Sequence, residues 1–361
     1  MAMIVIVSNR LGRVDLIMKK IKWTEYSKNF TEHAMQQGFF VKEIDTLLTY
    51  AQKLFKRDLP IIYDQEHLAL LVGYKYEFLL KASNFPSRFY RTYRIPKKSG
   101  GERIINEPLP SLKEIQHWIL EEILNKYSVS RYAKAYIRKR SIKDNARFHV
   151  NQKIVLTIDV KDFFPSLHIK KVNAFFLKIG YSSPVAAILS NLCCLNGGLP
   201  QGAPTSPALS NILMLNIDKR ISSFTKKQDI HYTRYADDMT FSGDFEPGMV
   251  IKFVRNVLKS MDLLINYKKL RTRRPGQRQE VTGVVVNEKI QAPKELRKKL
   301  RQSVYYIEKY GLSSHLEKTE NLKANHIYHL LGIANFILFL NPDDQEVINH
   351  IATLRKYLPK I

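Results

Sequence analysis

The chain reads as an α+β protein, on three observations. Apolar residues recur at helical spacing towards both ends. The middle holds short alternating runs separated by turn residues. Two of those runs carry carboxylates inside apolar stretches, Asp159 in IVLTIDVKDFF and Asp237–Asp238 in HYTRYADDMTF. With 361 residues, 45% of them hydrophobic, the chain is long enough for two or three packed subdomains.

The elements follow in order. Residues 1 to about 80 are expected to be a helical extension. Within it, Val41–Phe55 places Ile44, Leu47, Leu48, Ala51 and Phe55 at helical spacing, and no chemistry is visible there. FYRTYRIPKKSGGERIINEP reads as a hairpin, with strand Tyr90–Ile95, turn Lys97–Gly101 and strand Arg103–Asn106. A helix from about Ser111 lines up Ile115, Ile119 and Ile123. A basic segment, Arg138–Arg147, precedes the first acidic strand, Lys153–Val160. Helices are expected near Ile169–Ile179 and Pro184–Leu195. The loop GGLPQGAPTSP then opens a helix from about Pro207, where a proline suits the first turn. Tyr235–Asp238 lies between alternating residues and reads as a tight hairpin with aspartates at its tip. Beyond it come a helix Pro247–Met261, a basic connector Lys268–Arg278, a hairpin around Val281–Ile290, and helices from Ala292 onward.

Lys and Arg number 58 against 33 Asp and Glu, a formal net charge of +25 spread along the chain. Such a surface attracts a polyanion, with binding that weakens as salt rises. Cys193 and Cys194 are the only cysteines and make neither a disulfide framework nor a zinc site; a reducing cytoplasm is expected. The apolar run Met3–Val7 is too short for a signal peptide, and no stretch reaches the length of a membrane span, so no membrane partner is expected.

Carboxylates in apolar strands are costly unless cations neutralise them. Three aspartates from two neighbouring strands suit two Mg²⁺ ions, with Mn²⁺ as a substitute, in nucleotidyl transfer. Asp159 and Asp237 are the expected principal ligands. Asp238 and the Val160 carbonyl are the further candidates, the ions lying roughly 3.5–4 Å apart.

These residues carry a resemblance. Tyr235-Ala236-Asp237-Asp238, preceded by the Asp159 strand and by Leu199-Pro200-Gln201-Gly202-Ala203-Pro204-Thr205-Ser206-Pro207, resembles the reverse transcriptase palm from about Tyr93 to Asn287. Asn145-Ala146-Arg147-Phe148-His149 and Val281-Thr282-Gly283 resemble the Asn-Ala-x-x-His and Val-Thr-Gly elements of bacterial retron reverse transcriptases. The resemblance implies a right-hand polymerase. Its expected parts are fingers at 81–152, a palm at 153–285 with finger helices inserted at about 167–195, and a thumb at 286–361. It also implies a cognate non-coding RNA and its DNA product as partners, dNTPs as substrates, and priming from an internal guanosine 2′-OH to give a branched RNA–DNA hybrid. An effector protein encoded nearby and a role in anti-phage defence belong to the same implication. The C-terminal region is expected to be too short for an RNase H domain, so a host RNase H would remove the template. A group II intron-like enzyme, or a nucleic-acid-binding scaffold that holds an effector, are the alternatives.

By the same resemblance Phe164 is a steric gate against a ribose 2′-OH, compatible with a core role, while Phe163 is core. Gln201 and Gly202 support the templating base and incoming nucleotide. Lys97 and Arg103 grip the triphosphate, with Lys98 able to replace Lys97, and Lys269 resembles a lysine that protonates pyrophosphate. Asn145 and His149, four residues apart, are candidates for RNA positioning or for bracing, and Thr282 and Gly283 for holding the primer. In Pro293–Ile307 an apolar stripe of Leu296, Leu300, Val304 and Ile307 opposes Lys294, Arg297, Lys298 and Arg301. That pattern fits a thumb helix along a duplex or an ordinary amphipathic helix. Tyr305, Tyr306 and Tyr310 fit base stacking or core packing equally.

Overall fold

Three antiparallel sheets organise the described residues of the chain in the computed structural model, which describes residues 22–97, 100–318 and 325–358. The α+β class expected from the sequence is observed. The chain divides into two units, Met1–Ser130 with Lys161–Asn216, and Arg131–Val160 with Ile217–Ile361.

In the first unit, strands β1 (Tyr90–Pro96) and β2 (Glu102–Pro108) form a hairpin in register from Tyr90↔Pro108 to Pro96↔Glu102. Gly100 and Gly101 sit at φ +84° and +78°, a conformation that glycine adopts without a Cβ penalty. Helix Val41–Phe55 has the expected bounds, and its Ile44, Ala51 and Leu54 are buried. Helix Pro110–Glu122 buries Leu112, Ile115 and Ile119, and Ile123 just beyond it is also fully buried. Helices Ile169–Lys178 and Ser183–Cys193 add Val172, Phe176, Val185, Ile188, Leu189 and Leu192 to the buried set. Cys193 and Cys194 are free and buried, and burial raises both thiols well above their ordinary range. The helix expected from Pro207 begins two residues earlier, as Thr205–Leu213, and a second helix, Leu215–Lys227, follows.

The second unit is built on a four-stranded antiparallel sheet: β3 (Ile154–Asp159), β4 (His231–Tyr235), β5 (Asp238–Gly243) and β6 (Arg271–Arg273), ordered β4-β5-β3-β6. The basic connector thus hides an edge strand. Arg271-Thr272-Arg273 has no apolar residue and pairs through its backbone alone, Val155↔Arg273 to Thr157↔Arg271. Glu280–Val281 (β7) and Val284–Val285 (β8) form a small hairpin with Thr282 and Gly283 as its turn, at φ +49° and +80°. Val155, Val281 and Val284 share one core with Leu300, Val304 and Ile307 of helix Lys294–Lys318 and with the last two helices, His326–Leu340 and Gln345–Arg355. Helix Lys294–Lys318 is interrupted at Gly311, at φ +81° and ψ 162°. Among the described residues no helix is long and apolar enough to cross a membrane. Met3–Val7 and Lys98 lie outside the described residues.

Candidate active site

The acidic residues converge because of strand register. Asp159 ends β3 and Asp238 opens β5, and the two are directly paired across the ladder. Tyr235 pairs with Asp238, leaving Ala236 and Asp237 as a two-residue turn between β4 and β5. Ala236 takes φ +58°, a left-handed conformation that costs a non-glycine residue on the order of 1 kcal/mol. Two contacts hold the turn. The Val160 N–H donates to the Asp237 carbonyl at 3.1 Å, and Arg234 Nη1 donates to the Ala236 carbonyl at 3.1 Å.

Arg234 is itself fixed from below. It is fully buried and grips Asp218 with two bonds, Nε to Oδ1 at 2.8 Å and Nη2 to Oδ2 at 2.7 Å. Tyr232 Oη donates to the same Asp218 Oδ1 at 2.7 Å. A bidentate, dry Arg–carboxylate pair is geometrically specific. Here it orients the carbonyl just before Asp237. Sequence reasoning missed this trio. The available signal was Arg234 at an inward position of a buried strand, since a buried guanidinium needs an anion.

Asp159 is buried at 5% exposure, and each of its carboxylate oxygens accepts one bond from a side chain of the Asn266–Lys269 turn. Asn266 Nδ2 donates to Oδ1 at 3.0 Å and Lys269 Nζ to Oδ2 at 2.8 Å. The Asn266 N–H also donates to the Asp159 carbonyl at 2.8 Å, and the Lys269 N–H to the Asn266 carbonyl at 3.0 Å. Asn266 is a further residue that the sequence did not single out for a role. Burial, then the charge of Asp159, raises the Asp237 carboxyl above its ordinary range. Burial, then Asp237 and Asp159, pushes Asp238 up to about 7. Burial disfavours the Lys269 ammonium, but Asp159 and the two other aspartates outweigh it and hold its pKa up.

That electrostatic frustration is the test of fit for a metal. Negative charge accumulates here beyond what one lysine balances, and the donors are hard oxygens suited to Mg²⁺. Among the described residues, no three His, Cys, Asp or Glu side chains stand as a ready-made cage around one ion. Mg²⁺ sites commonly use one or two carboxylates completed by substrate phosphates and water, so the residues present fit such an ion.

A polar cavity of about 510 Å³ adjoins Asp238. Arg271, Arg273 and Arg278 line it, as do Thr282 and Gly283 of the β7–β8 turn. The Thr282 hydroxyl accepts a bond from Asn145 Nδ2 at 2.9 Å. Asn145 and His149 do not share a helix: Asn145 lies in the short helix Ile142–Ala146 and His149 in the 3₁₀ turn after it. Both are fully buried. His149 sits between the Ser242 hydroxyl on Nδ1 and the Thr233 hydroxyl on Nε2, each at 2.7 Å. Burial, with His231 and Lys134 nearby, lowers its pKa to about 3, so the ring is neutral. Neither side chain is exposed, and both hold other elements of the second unit through their hydrogen bonds.

In the C-terminal helices, Lys294, Lys298 and Arg301 are exposed and Arg297 is half-buried. Arg297 pairs with Asp344 and, at 3.1 Å, with Glu346; Arg301 also pairs with Glu346. These two arginines therefore tie the helix to the start of Gln345–Arg355, and the free basic face is smaller than the sequence pattern implied. Tyr305, Tyr306 and Tyr310 are exposed, not core.

The remaining candidates belong to the first unit. Lys97 and Arg103 are exposed at the hairpin tip, where the Lys97 N–H donates to the Gly101 carbonyl at 2.9 Å. The Asn106 N–H of β2 donates to the Gln201 carbonyl at 2.8 Å. Gly202 sits at φ +130°, and a Cβ there would meet the Asn106 carbonyl at 2.6 Å. A glycine is therefore needed for the loop to lie on β2. Phe164 is half-buried, its ring 5.3 Å from that of buried Phe163.

Comparison with known proteins agrees with this geometry. Residues 95–286 match the family described as Reverse transcriptase (RNA-dependent DNA polymerase). The retron Mx65 reverse transcriptase of Myxococcus xanthus is 32% identical over 356 residues, covering 90% of this chain and 81% of that protein. The retron Ec86 reverse transcriptase of Escherichia coli is 34% identical over 273 residues, covering 74% of this chain and 82% of that protein. A solved structure of the foamy viral protease–reverse transcriptase with double-stranded DNA aligns over 97% of this chain and 58% of its own, with a TM-score of 0.43 and 14% identity, too low to add weight. The chain belongs to the retron reverse transcriptases and is an RNA-directed DNA polymerase.

Proposed function

We propose that the chain makes a branched RNA–DNA hybrid from a cognate structured RNA by two-metal nucleotidyl transfer, with Asp159 and Asp237 as the principal ligands. The observation that carries this reading is the cross-strand meeting of Asp159 with the Asp237–Asp238 turn, which leaves negative charge unneutralised. Two Mg²⁺ ions held there, by Asp159, Asp237 and further oxygens from Asp238 and the Val160 carbonyl, would activate the primer hydroxyl and neutralise charge on the leaving pyrophosphate.

The protein's own groups have separate tasks. Asn266 holds the Asp159 carboxylate in place at the end of β3, where it would ligate the ions. The Lys269 ammonium, 2.8 Å from Asp159, is placed to shift onto pyrophosphate and give it a proton. Lys97 and Arg103 hold the triphosphate, Arg103 through its planar fork. Gln201 and Gly202 shape the bed of the incoming base pair, and the Phe164 ring excludes a ribose 2′-OH. Thr282 and Gly283, braced by Asn145, face the cavity beside Asp238, which we assign to the primer strand. Lys294 and Lys298 are the thumb residues left free for a duplex backbone.

We further assign 81–152 to fingers, 153–285 to palm and 286–361 to thumb, with 1–80 as an extension. Identities above 30% to several retron enzymes favour this reading over a group II intron-like one. A cytoplasmic complex with a nearby-encoded effector, host RNase H and an anti-phage role completes the proposal. Extraction of nucleic acid from cells expressing the protein with its adjacent non-coding RNA tests it. The expected product is DNA joined to RNA by a 2′,5′ branch that resists removal until debranched. Linear DNA alone would refute the retron-type product.

A further inference from the structure

A second basic cavity, sharing no lining residue with the cavity beside Asp238, opens beside β4, one of the two edge strands of the sheet. Its volume is about 430 Å³, room for one nucleotide unit. Six basic side chains line it: Arg131, Lys134, Arg140, Arg147, Lys226 and His231. Among the described residues the only carboxylate ion-paired with any of them is Asp144, 3.4 Å from Arg147. Such a concentration of like charge is unfavourable in an empty protein and favourable around an anion.

The cavity is built, not a chance gathering of surface side chains. Ala133 bridges Arg234 in parallel, and the Lys134 N–H donates to the Arg234 carbonyl at 2.7 Å, so residues 131–134 are pinned along the β4 edge. Lys134 is only 4% exposed. Its Nζ is held by the Arg131 carbonyl at 2.9 Å and lies 4.5 Å from the centre of the Phe148 ring. Burial, then Arg140 and Arg147, lowers its pKa to about 8, a shift that an anion in the cavity would reverse. The Phe148 ring is 37% exposed and carries Arg147 on it at 5.0 Å, while Arg131 lies 5.0 Å from the Tyr132 ring.

We propose that this cavity is a phosphate-binding site for a single strand of RNA, at which the guanidinium groups hold the backbone and Phe148 offers a face to a base. Arginine forks match phosphate oxygens, and an exposed ring among cations is the usual pairing for an unpaired nucleotide. The proposal rests on the reading of the chain as an RNA-templated polymerase and adds an RNA contact away from the reacting centre.

The test compares the full chain with the double substitution Arg131→Gln and Arg140→Gln, both exposed residues outside the catalytic machinery. Binding of a fluorescein-labelled, unstructured single-stranded RNA is measured across a salt series. The variant should bind about tenfold more weakly, and the slope of log affinity against log salt should become shallower by roughly 1. Arg131→Lys with Arg140→Lys should restore the salt slope but only part of the affinity, since an ammonium keeps the charge without the fork, and RNA bearing 4-thiouridine should crosslink to the peptide containing Phe148. Equal affinity and slope in wild type and the Gln variant would overturn the proposal. So would stabilisation of the wild type, but not the variant, by inorganic phosphate while RNA affinity stays equal, since the occupant would then be a free anion. Magnesium-dependent copying of an RNA template is measured in parallel. Its absence from the wild type counts against the polymerase reading, whereas its presence with unchanged RNA affinity in the variant counts against the cavity alone.

Discussion

Asp237 and Asp238 are poised as unstable anions, and this has a measurable sign. Both carboxyls are raised in the folded chain, Asp238 to about 7 against an ordinary value of 3.8. A raised carboxyl binds its proton more tightly folded than unfolded. Its contribution to stability is therefore complete below about pH 4 and is lost as pH rises through about 7. The metal-free protein should show a melting temperature that falls across this window, and millimolar Mg²⁺ should reverse the fall at neutral pH. A melting temperature indifferent to both pH and Mg²⁺ would contradict the electrostatic account. Phe164 supplies a second residue-scale prediction. Phe164→Ala should relax discrimination against ribonucleotides, read as the ratio of kcat/KM for dNTP and rNTP, by about tenfold or more; each tenfold corresponds to about 1.4 kcal/mol. An unchanged ratio would remove the gate.

At the scale of elements, the β4–β5 hairpin owes its shape to a buried ion pair below it. Asp218→Asn leaves the Arg234 guanidinium buried without an anion, and should destabilise the fold by about 3–5 kcal/mol. Replacing both partners by apolar residues, Asp218→Leu with Arg234→Met, should recover most of that stability. Activity should not return with it, because Arg234 no longer holds the Ala236 carbonyl. Denaturant unfolding and single-turnover incorporation separate the two effects. This hairpin also shows what a sequence discloses. Its existence as a tight hairpin was legible, since Tyr235–Asp238 stood between alternating residues, although Asp238 proves to open β5 while Ala236 and Asp237 make the turn. Its support was not, because Asp218 and Arg234 lie sixteen residues apart on a helix and a strand, and only packing pairs them. Strand β6 was hidden for a different reason: an edge strand paired by backbone alone needs no apolar side chain. Asn145 and His149 were recognisable as a motif, but their burial depended on hydroxyls from Thr282, Thr233 and Ser242, which no local pattern announces.

For the whole molecule, charge is distributed by task. The formal charge of +25 includes Arg297 and Arg301, which are spent on Asp344 and Glu346 within the protein, and the basic groups beside β4, which have few internal anions. Asp159, Asp237 and Asp238 gather their negative charge in one place, at the end of β3 and the start of β5. The most direct test of that division is primer extension on an RNA template with Mg²⁺, run on the wild type and on Asp237→Asn, with RNA affinity measured on the same samples. The account predicts that the wild type incorporates dNTPs only when Mg²⁺ or Mn²⁺ is present, and that Asp237→Asn binds RNA as tightly but incorporates at least a thousandfold more slowly. Incorporation by Asp237→Asn at the wild-type rate would contradict it.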